Sequence, residues 1–237
     1  MGMIGRVLFL CGVFAIVVMI VLEVPAERNR LPEISLKKRC LASKEEHMPL
    51  IIKGMYLDES KPLTFTRLSG RDYDEVCIAA ARLTRQGAKL LEWQMGVFAG
   101  LHDEAEVRKT LESLRGMTDS CVLLATVRTA AQGGQVAVGA DQLVRIYDQI
   151  AQSHCADLID VEYQTVGEDI EPVMEQLRER GAMIALSYGV KTADVKDDLP
   201  EEKWKSVIQK MAAADPDVIR LVDGERQLWA NGNTTSV

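Results

Sequence analysis

The sequence predicts an α/β protein of the TIM-barrel-like (β/α)8 type, incomplete at about six βα units and preceded by a hydrophobic segment. Strand-type and helix-type periodicities alternate through short connections from Pro62 to Val222, the pattern of stacked βα units around a parallel sheet. The helix-type stretches carry their own start and stop signals. The alternation ends after a sixth strand, with only Asp223 to Val237 remaining. A barrel of this kind closes with eight strands, so the last two βα units are missing.

Leu63 to Leu68 reads as the first strand, and Tyr73 to Arg85 as a helix with Val76, Cys77, Ala80 and Leu83 on one face, ended by Gly87. Lys89 to Met95 is the second strand. Its helix runs from about Asp103 to Arg115, with Asp103, Glu104 and Glu106 placed at the positive end of the helix dipole. Cys121 to Arg128 and Asp141 to Ser153 form the third unit, and Leu158 to Tyr163 with Ile170 to Arg180 the fourth, closed by Gly181. Met183 to Ser187 is the fifth strand, and Pro200-Glu-Glu-Lys-Trp204 opens its helix with proline and acidic residues. Val218 to Val222 is the sixth strand. The remaining residues, 223–237, read as a polar tail with no second strand. Six strands leave two open edges, rows of unpaired backbone groups that the tail or a second copy of the chain must cover. Self-association through those edges is the expectation.

A formal charge of −7 argues against nucleic acid as a partner, because phosphate binding needs a clustered basic face. Cys11, Cys40, Cys77, Cys121 and Cys155 show no metal-ligand spacing and read as small core residues. His47, His102 and His154 are too dispersed for a His-Cys cluster, so neither a metal nor a cofactor is expected. Trp204, Trp229 and the methionines read as packing residues. Asn233-Thr-Thr235 matches a glycosylation triplet, which has meaning only in a eukaryotic secretory setting.

The organisation that follows is a signal peptide or membrane anchor over 1–26, a linker over 27–47, the barrel over 48–222 and the tail over 223–237. Val7 to Leu22 is an unbroken apolar run at the short edge of what spans a bilayer. Arg28, Arg30, Lys37, Lys38, Arg39 and Lys44 follow it, while only Arg6 and the amino terminus precede it. By the positive-inside rule, that bias gives a single-pass membrane protein with a cytoplasmic domain. Cleavage near Ala26, after Val24-Pro25, is one alternative and leads to export. A start at Met48 is another, giving a cytoplasmic protein whose Met48-to-Pro62 stretch forms a short strand and a Pro ahead of the first barrel strand.

Five segments at the strand ends carry chemistry-bearing residues. They are Leu90-Leu-Glu-Trp-Gln-Met-Gly96, Ala125-Thr-Val-Arg-Thr129 running on to Gly133-Gly134, Leu158-Ile-Asp-Val-Glu-Tyr163, Ala185-Leu-Ser-Tyr-Gly189 and Asp217-Val-Ile-Arg-Leu-Val222. In order and spacing they resemble type I 3-dehydroquinate dehydratase of the shikimate pathway, a lyase whose pattern is roughly E-W-R-x-D, T-x-R-x-x-x-E-G-G, D-x-E, S-Y-H-D and A-D-x-x-K. The resemblance covers Met48 to about Val222 and implies a barrel that dehydrates 3-dehydroquinate to 3-dehydroshikimate. A lysine forms an imine with the ketone, and a histidine moves the protons.

Here the lysine slot holds Arg220 and the histidine slot Gly189. Amine catalysis needs a neutral nitrogen, which lysine reaches through burial and arginine does not. Glycine has no acid/base group, and a phenol such as that of the neighbouring tyrosine at 188 is a poor proton shuttle near neutral pH. Lys191 is the one nearby amine, but it lies past the strand. The resemblance places Glu92 and Arg128 in the substrate pocket, where they read either as a residual ion pair stabilising the barrel mouth or as a weakened anion pocket, and Glu162 matches as well. Gln94, Gly96 and Gln132 depart from the family's arginine, aspartate and glutamate. The residues therefore predict an inactive or impaired homologue with no intact catalytic pair and weak affinity for a quinate-like carboxylate. An active lyase of related chemistry and a membrane-tethered interaction module are the alternatives.

Overall fold

The computed structural model describes residues 9–10, 18–21, 50–57, 64–190, 201–223 and 226–231. Its spine is a run of parallel strands: β5 (Thr66–Leu68), β6 (Leu90–Gln94), β7 (Val122–Thr126), β8 (Leu158–Glu162), β9 (Met183–Val190) and β10 (Val218–Asp223). Each pairs in parallel with the next, so six βα-type strands form a half-barrel. The helices between them are α1 (Tyr73–Arg85), α2 (Glu104–Met117), α3 (Ala140–Ser153), the short α4 (Tyr163–Val166) with α5 (Ile170–Glu179), and α6 (Glu201–Ala213). Asp72 caps α1 by accepting from the Glu75 amide, and Asp103 caps α2 by accepting from Ala105 and Glu106.

Every residue of β7 and β8 is buried, because helices cover one face of the sheet and the curled sheet encloses the other. Alternation divides the core accordingly. Leu91, Trp93, Leu123, Ala125, Ile159, Val161, Ile184, Leu186, Ile219 and Leu221 pack against the helices in one large apolar cluster. The opposite side chains face the barrel interior. At the amino-terminal end these are Val122, Leu124, Leu158, Ala185 and Val218, packed with Phe65 and Ile52 in a second apolar cluster. One step further along each strand the same face turns polar, with Glu92, Thr126, Asp160, Ser187 and Arg220, all buried.

The barrel floor is a two-stranded hairpin, β3 (Leu50–Ile52) with β4 (Met55–Leu57), where the sequence predicts a single short strand. Lys53 and Gly54 sit at its turn with φ of 51° and 72°, the left-handed pair that matches strand twist in a two-residue loop. Lys53 Nζ donates to the Asp119 carbonyl at 2.8 Å and lies 3.6 Å from Asp157, tying the hairpin to the segments that lead into β7 and β8. Asp157 also receives the Leu123 amide at 2.7 Å and Arg115 at 2.8 Å. Asp217 repeats the device, receiving the Ile184 amide at 2.7 Å. Burial pushes the Asp217 carboxyl above its ordinary value, more than that amide and Arg178 pull it down.

Two expectations are corrected at the other edge. The stretch read as a strandless tail contains β11 (Arg226–Asn231), antiparallel to β10 in the register Asp223↔Arg226 to Val218↔Asn231. The glycine that directly follows Asp223 in the sequence is a turn-forming residue and was the one local signal for a returning strand. The apolar run is not a membrane helix where it is described: Phe9–Leu10 form β1, and Val18–Val21 form β2, which pairs antiparallel with β11 from Gln227↔Val21 to Ala230↔Val18. Among the described residues, no helix is long and apolar enough to cross a membrane. The single-pass placement is therefore withdrawn. The run is rich in β-branched Val and Ile, and a sheet edge within reach turns that composition into strand. The whole order is β1-β2-β11-β10-β9-β8-β7-β6-β5. The fifth parallel strand is also longer than predicted, continuing through Gly189 to Val190.

Cys121 and Cys155 are buried and Cys77 is half-buried, as core residues. The linker over 27–47, the cleavage site near Ala26, Met48, Lys191, the Asn233-Thr-Thr235 triplet, Cys11, Cys40 and His47 lie outside the described residues.

Candidate active site

The polar layer lies at the carboxyl ends of the parallel strands, where barrels of this kind assemble their sites. Strand register builds it. Arg220 on β10 pairs with Ser187 on β9, Ser187 with Glu162 on β8, and Asp160, two residues before it, with Thr126 on β7. Because side chains alternate, all of these point to the same interior face.

Arg220, 1% exposed, is at the centre. Its Nη2 donates to Glu92 Oε1 at 2.5 Å, and its Nη1 donates to Asp160 Oδ2 and, at 3.3 Å, to Thr126 Oγ1. Burial opposes the guanidinium's charge, but the attraction of Glu92 and Asp160 outweighs it and holds the group above its ordinary value. Arg128, just past the end of β7, closes a second loop of the network. Its Nη2 donates to Asp160 Oδ2 at 2.9 Å, and its Nη1 lies 3.4 Å from Glu162 Oε1 and 3.3 Å from Ser187 Oγ. Asp160 Oδ2 is thus shared by both arginines, while Asp160 Oδ1 is buried with no hydrogen-bond partner. Leaving such an atom unmet costs about 1–3 kcal/mol.

Glu162 is held from several sides. Its Oε1 accepts the Thr129 amide at 2.9 Å, and its Oε2 accepts the Thr129 and Thr165 hydroxyls, each at 2.7 Å. Its own amide donates to the Tyr147 hydroxyl at 3.0 Å from beneath. Complete burial, and next the charge of Glu162, raise the Tyr147 phenol well above its ordinary value, so it stays neutral.

The loop after β7 folds back over the site. Gly133 has φ of +82°, and a Cβ on Gly134 would stand 1.9 Å from the Arg128 carbonyl oxygen, so that glycine is what lets the loop pass so close. Gly189, which the sequence resemblance sets at the histidine position, is buried on β9; its amide donates to Gln164 Oε1 at 2.8 Å. Among the described residues, no group of three or more His, Cys, Asp or Glu is arranged to hold a metal ion.

The structure therefore brings Glu92, Arg128, Glu162, Gly189 and Arg220 to one end of one sheet. The sequence reading did not single out Asp160, Thr126, Ser187, Thr129 or Tyr147. Asp160 could have been found from its position two residues before Glu162, since alternation places both on the interior face. Tyr147 lies on α3 and had no local signal.

The Type I 3-dehydroquinase family profile matches residues 64–226. This chain belongs to that family. A 3-dehydroquinate dehydratase from Geobacillus thermodenitrificans (strain NG80-2) is 26% identical over 139 residues, 58% of this chain and 53% of that protein. One from Bacillus subtilis (strain 168) is 23% identical over 151 residues, 63% of this chain and 59% of that protein. The chain thus spans little more than half the length of the curated relatives it matches. Among solved structures, the 3-dehydroquinate dehydratase of Geobacillus kaustophilus HTA426 superposes with a TM-score of 0.66 at 22% identity, covering 74% of this chain and 66% of that one. The type I enzyme of Clostridium difficile, solved with covalently modified comenic acid, gives 0.67 at 21% identity, covering 74% and 68%. At these identities the structural likeness speaks for the fold.

Proposed function

We propose that this protein is a dehydratase-family chain without the imine chemistry, in which the former reaction centre is an internal ion network. One observation supports this most: Arg220, which the sequence resemblance sets at the family's lysine position, is buried and engaged by Glu92 and Asp160. A guanidinium held above its ordinary value by two carboxylates offers no free lone pair to a ketone. Gly189 supplies no proton carrier. An incoming quinate-like carboxylate meets two arginines that already face Glu92, Asp160 and Glu162. Its affinity is therefore weak.

The test is covalent trapping. The full chain is incubated with 3-dehydroquinate and borohydride, and its intact mass is measured. The expected result is an unchanged mass. A gain of one reduced substrate, mapped by peptide analysis to any lysine, refutes the proposal and shows that another amine does the work.

A further inference from the structure

Gly189 is not flanked by empty space. A Cβ built on it would lie 2.1 Å from Gln132 Oε1, 3.2 Å from its Cδ and 3.4 Å from its Cβ. The Gln132 side chain, reaching over from the loop after β7, thus fills the volume a side chain at 189 would take. Gln132 is not there by accident of a loose loop. It ends the turn Ala130–Gln132, its amide donates to the Thr129 carbonyl at 2.9 Å, and Gly134 donates to the same carbonyl at 2.8 Å. The Ala130 amide reaches Val136 at 2.7 Å, so the turn is closed on itself. Thr129 is in turn fixed to Glu162 by backbone and side chain. The turn therefore projects Gln132 from a base anchored on β8 toward β9.

We infer that Gln132 stands in for the side chain missing at 189, so that Gln132 and Gly189 form a matched pair latching the 129–138 loop onto β9 and closing the mouth of the site from within. This rests on the reading of a site without an acid/base at 189, and it deepens that reading by naming what occupies the slot. The backbone of Gly189 is outside the left-handed region, so an alanine there is opposed by the Gln132 side chain, which must move aside, and not by φ. Size at one position is thus conditional on size at the other.

The experiment is a double-mutant cycle in the full chain, comparing Gly189→Ala, Gln132→Ala and the pair by thermal unfolding. Gly189→Ala alone is expected to lower Tm by about 2–4 °C, with most of that loss absent in the Gln132→Ala background. An equal loss in both backgrounds overturns the inference. If Gly189→Ala does not fold by itself, folding of the double variant supports the pair. If neither folds, hydrogen exchange on Gln132→Ala alone decides. Amides of 130–138 exchanging about 10-fold faster, with those of α3 unchanged, uphold the latch, and an unchanged loop refutes it. These readouts measure stability, so a positive borohydride trap would overturn the proposed function and leave this result standing.

Discussion

Arg220 is the largest charged side chain in the interior, and its burial is tolerable only because two carboxylates meet it. Desolvating each ion costs several kcal/mol, which the pair recovers only while both sides are present. Replacing Arg220 with leucine leaves Glu92 and Asp160 buried with Arg128 as the remaining described cation at the network. A loss of about 3–5 kcal/mol in denaturant unfolding is expected. The sign of its pH dependence follows. Without the guanidinium, the folded state favours the protonated carboxyls, so their folded pKa rises above the unfolded value. The variant's deficit should then shrink as pH falls toward the carboxylate range, while the parent chain has no such recovery. A deficit under about 1 kcal/mol, or one independent of pH, would show that Arg220 is not the network's keystone. The sequence singled this residue out, because the resemblance sets Asp217-Val-Ile-Arg220 against the family's lysine-bearing segment, and the structure places it at the interior end of β10. Its partners were not: Asp160 meets it across two strand registers and Thr126 across three, which no local pattern encodes.

Among the elements, the parallel strands and their helices were the readable part. Short apolar strand runs, the acidic start of α2 and the glycines after α1 and α5 each act locally, and tertiary packing did not override them. The last strand was missed because Arg226 to Asn231 mixes charged, amide and apolar residues and has no clean alternation. Its formation depends instead on the ladders that β10 and β2 offer. That makes β11 sensitive to backbone chemistry. Leu228 pairs with Leu221 on one side and Ile20 on the other, so proline there removes a ladder hydrogen bond from the middle of a two-sided strand. Such a bond is worth about 1 kcal/mol net, and Leu228→Pro should lower Tm by about 2–4 °C or more. Amide exchange in 218–223 should rise with it. Unchanged melting and unchanged exchange would mean that β11 contributes nothing to holding β10.

At the scale of the described sheet, the question is what lies at the two ends of its six parallel strands. One end of the sheet is still β5, only three residues long, and short edges resist pairing with strangers. At the other end the chain adds β11 and then β2, antiparallel, where a complete barrel continues in parallel. The apolar segment that by composition alone suggested a membrane thus contributes a strand that covers an edge. Composition could not separate the two outcomes, because a run of Val and Ile satisfies lipid and a sheet edge equally well. Deleting residues 1–47 discriminates between them. It removes the partner of Gln227 to Ala230 and exposes the outer ladder of β11. The shortened chain should then elute and sediment above its monomer mass at concentrations where the full chain does not, since a second copy is the nearest source of strand partners. Placing lysine at Leu228 in the shortened chain should reduce that association, as charge on an exposed edge opposes edge-to-edge pairing. A shortened chain that stays monomeric and melts at the parent temperature would show that β2 neither protects nor stabilises the edge on which it lies.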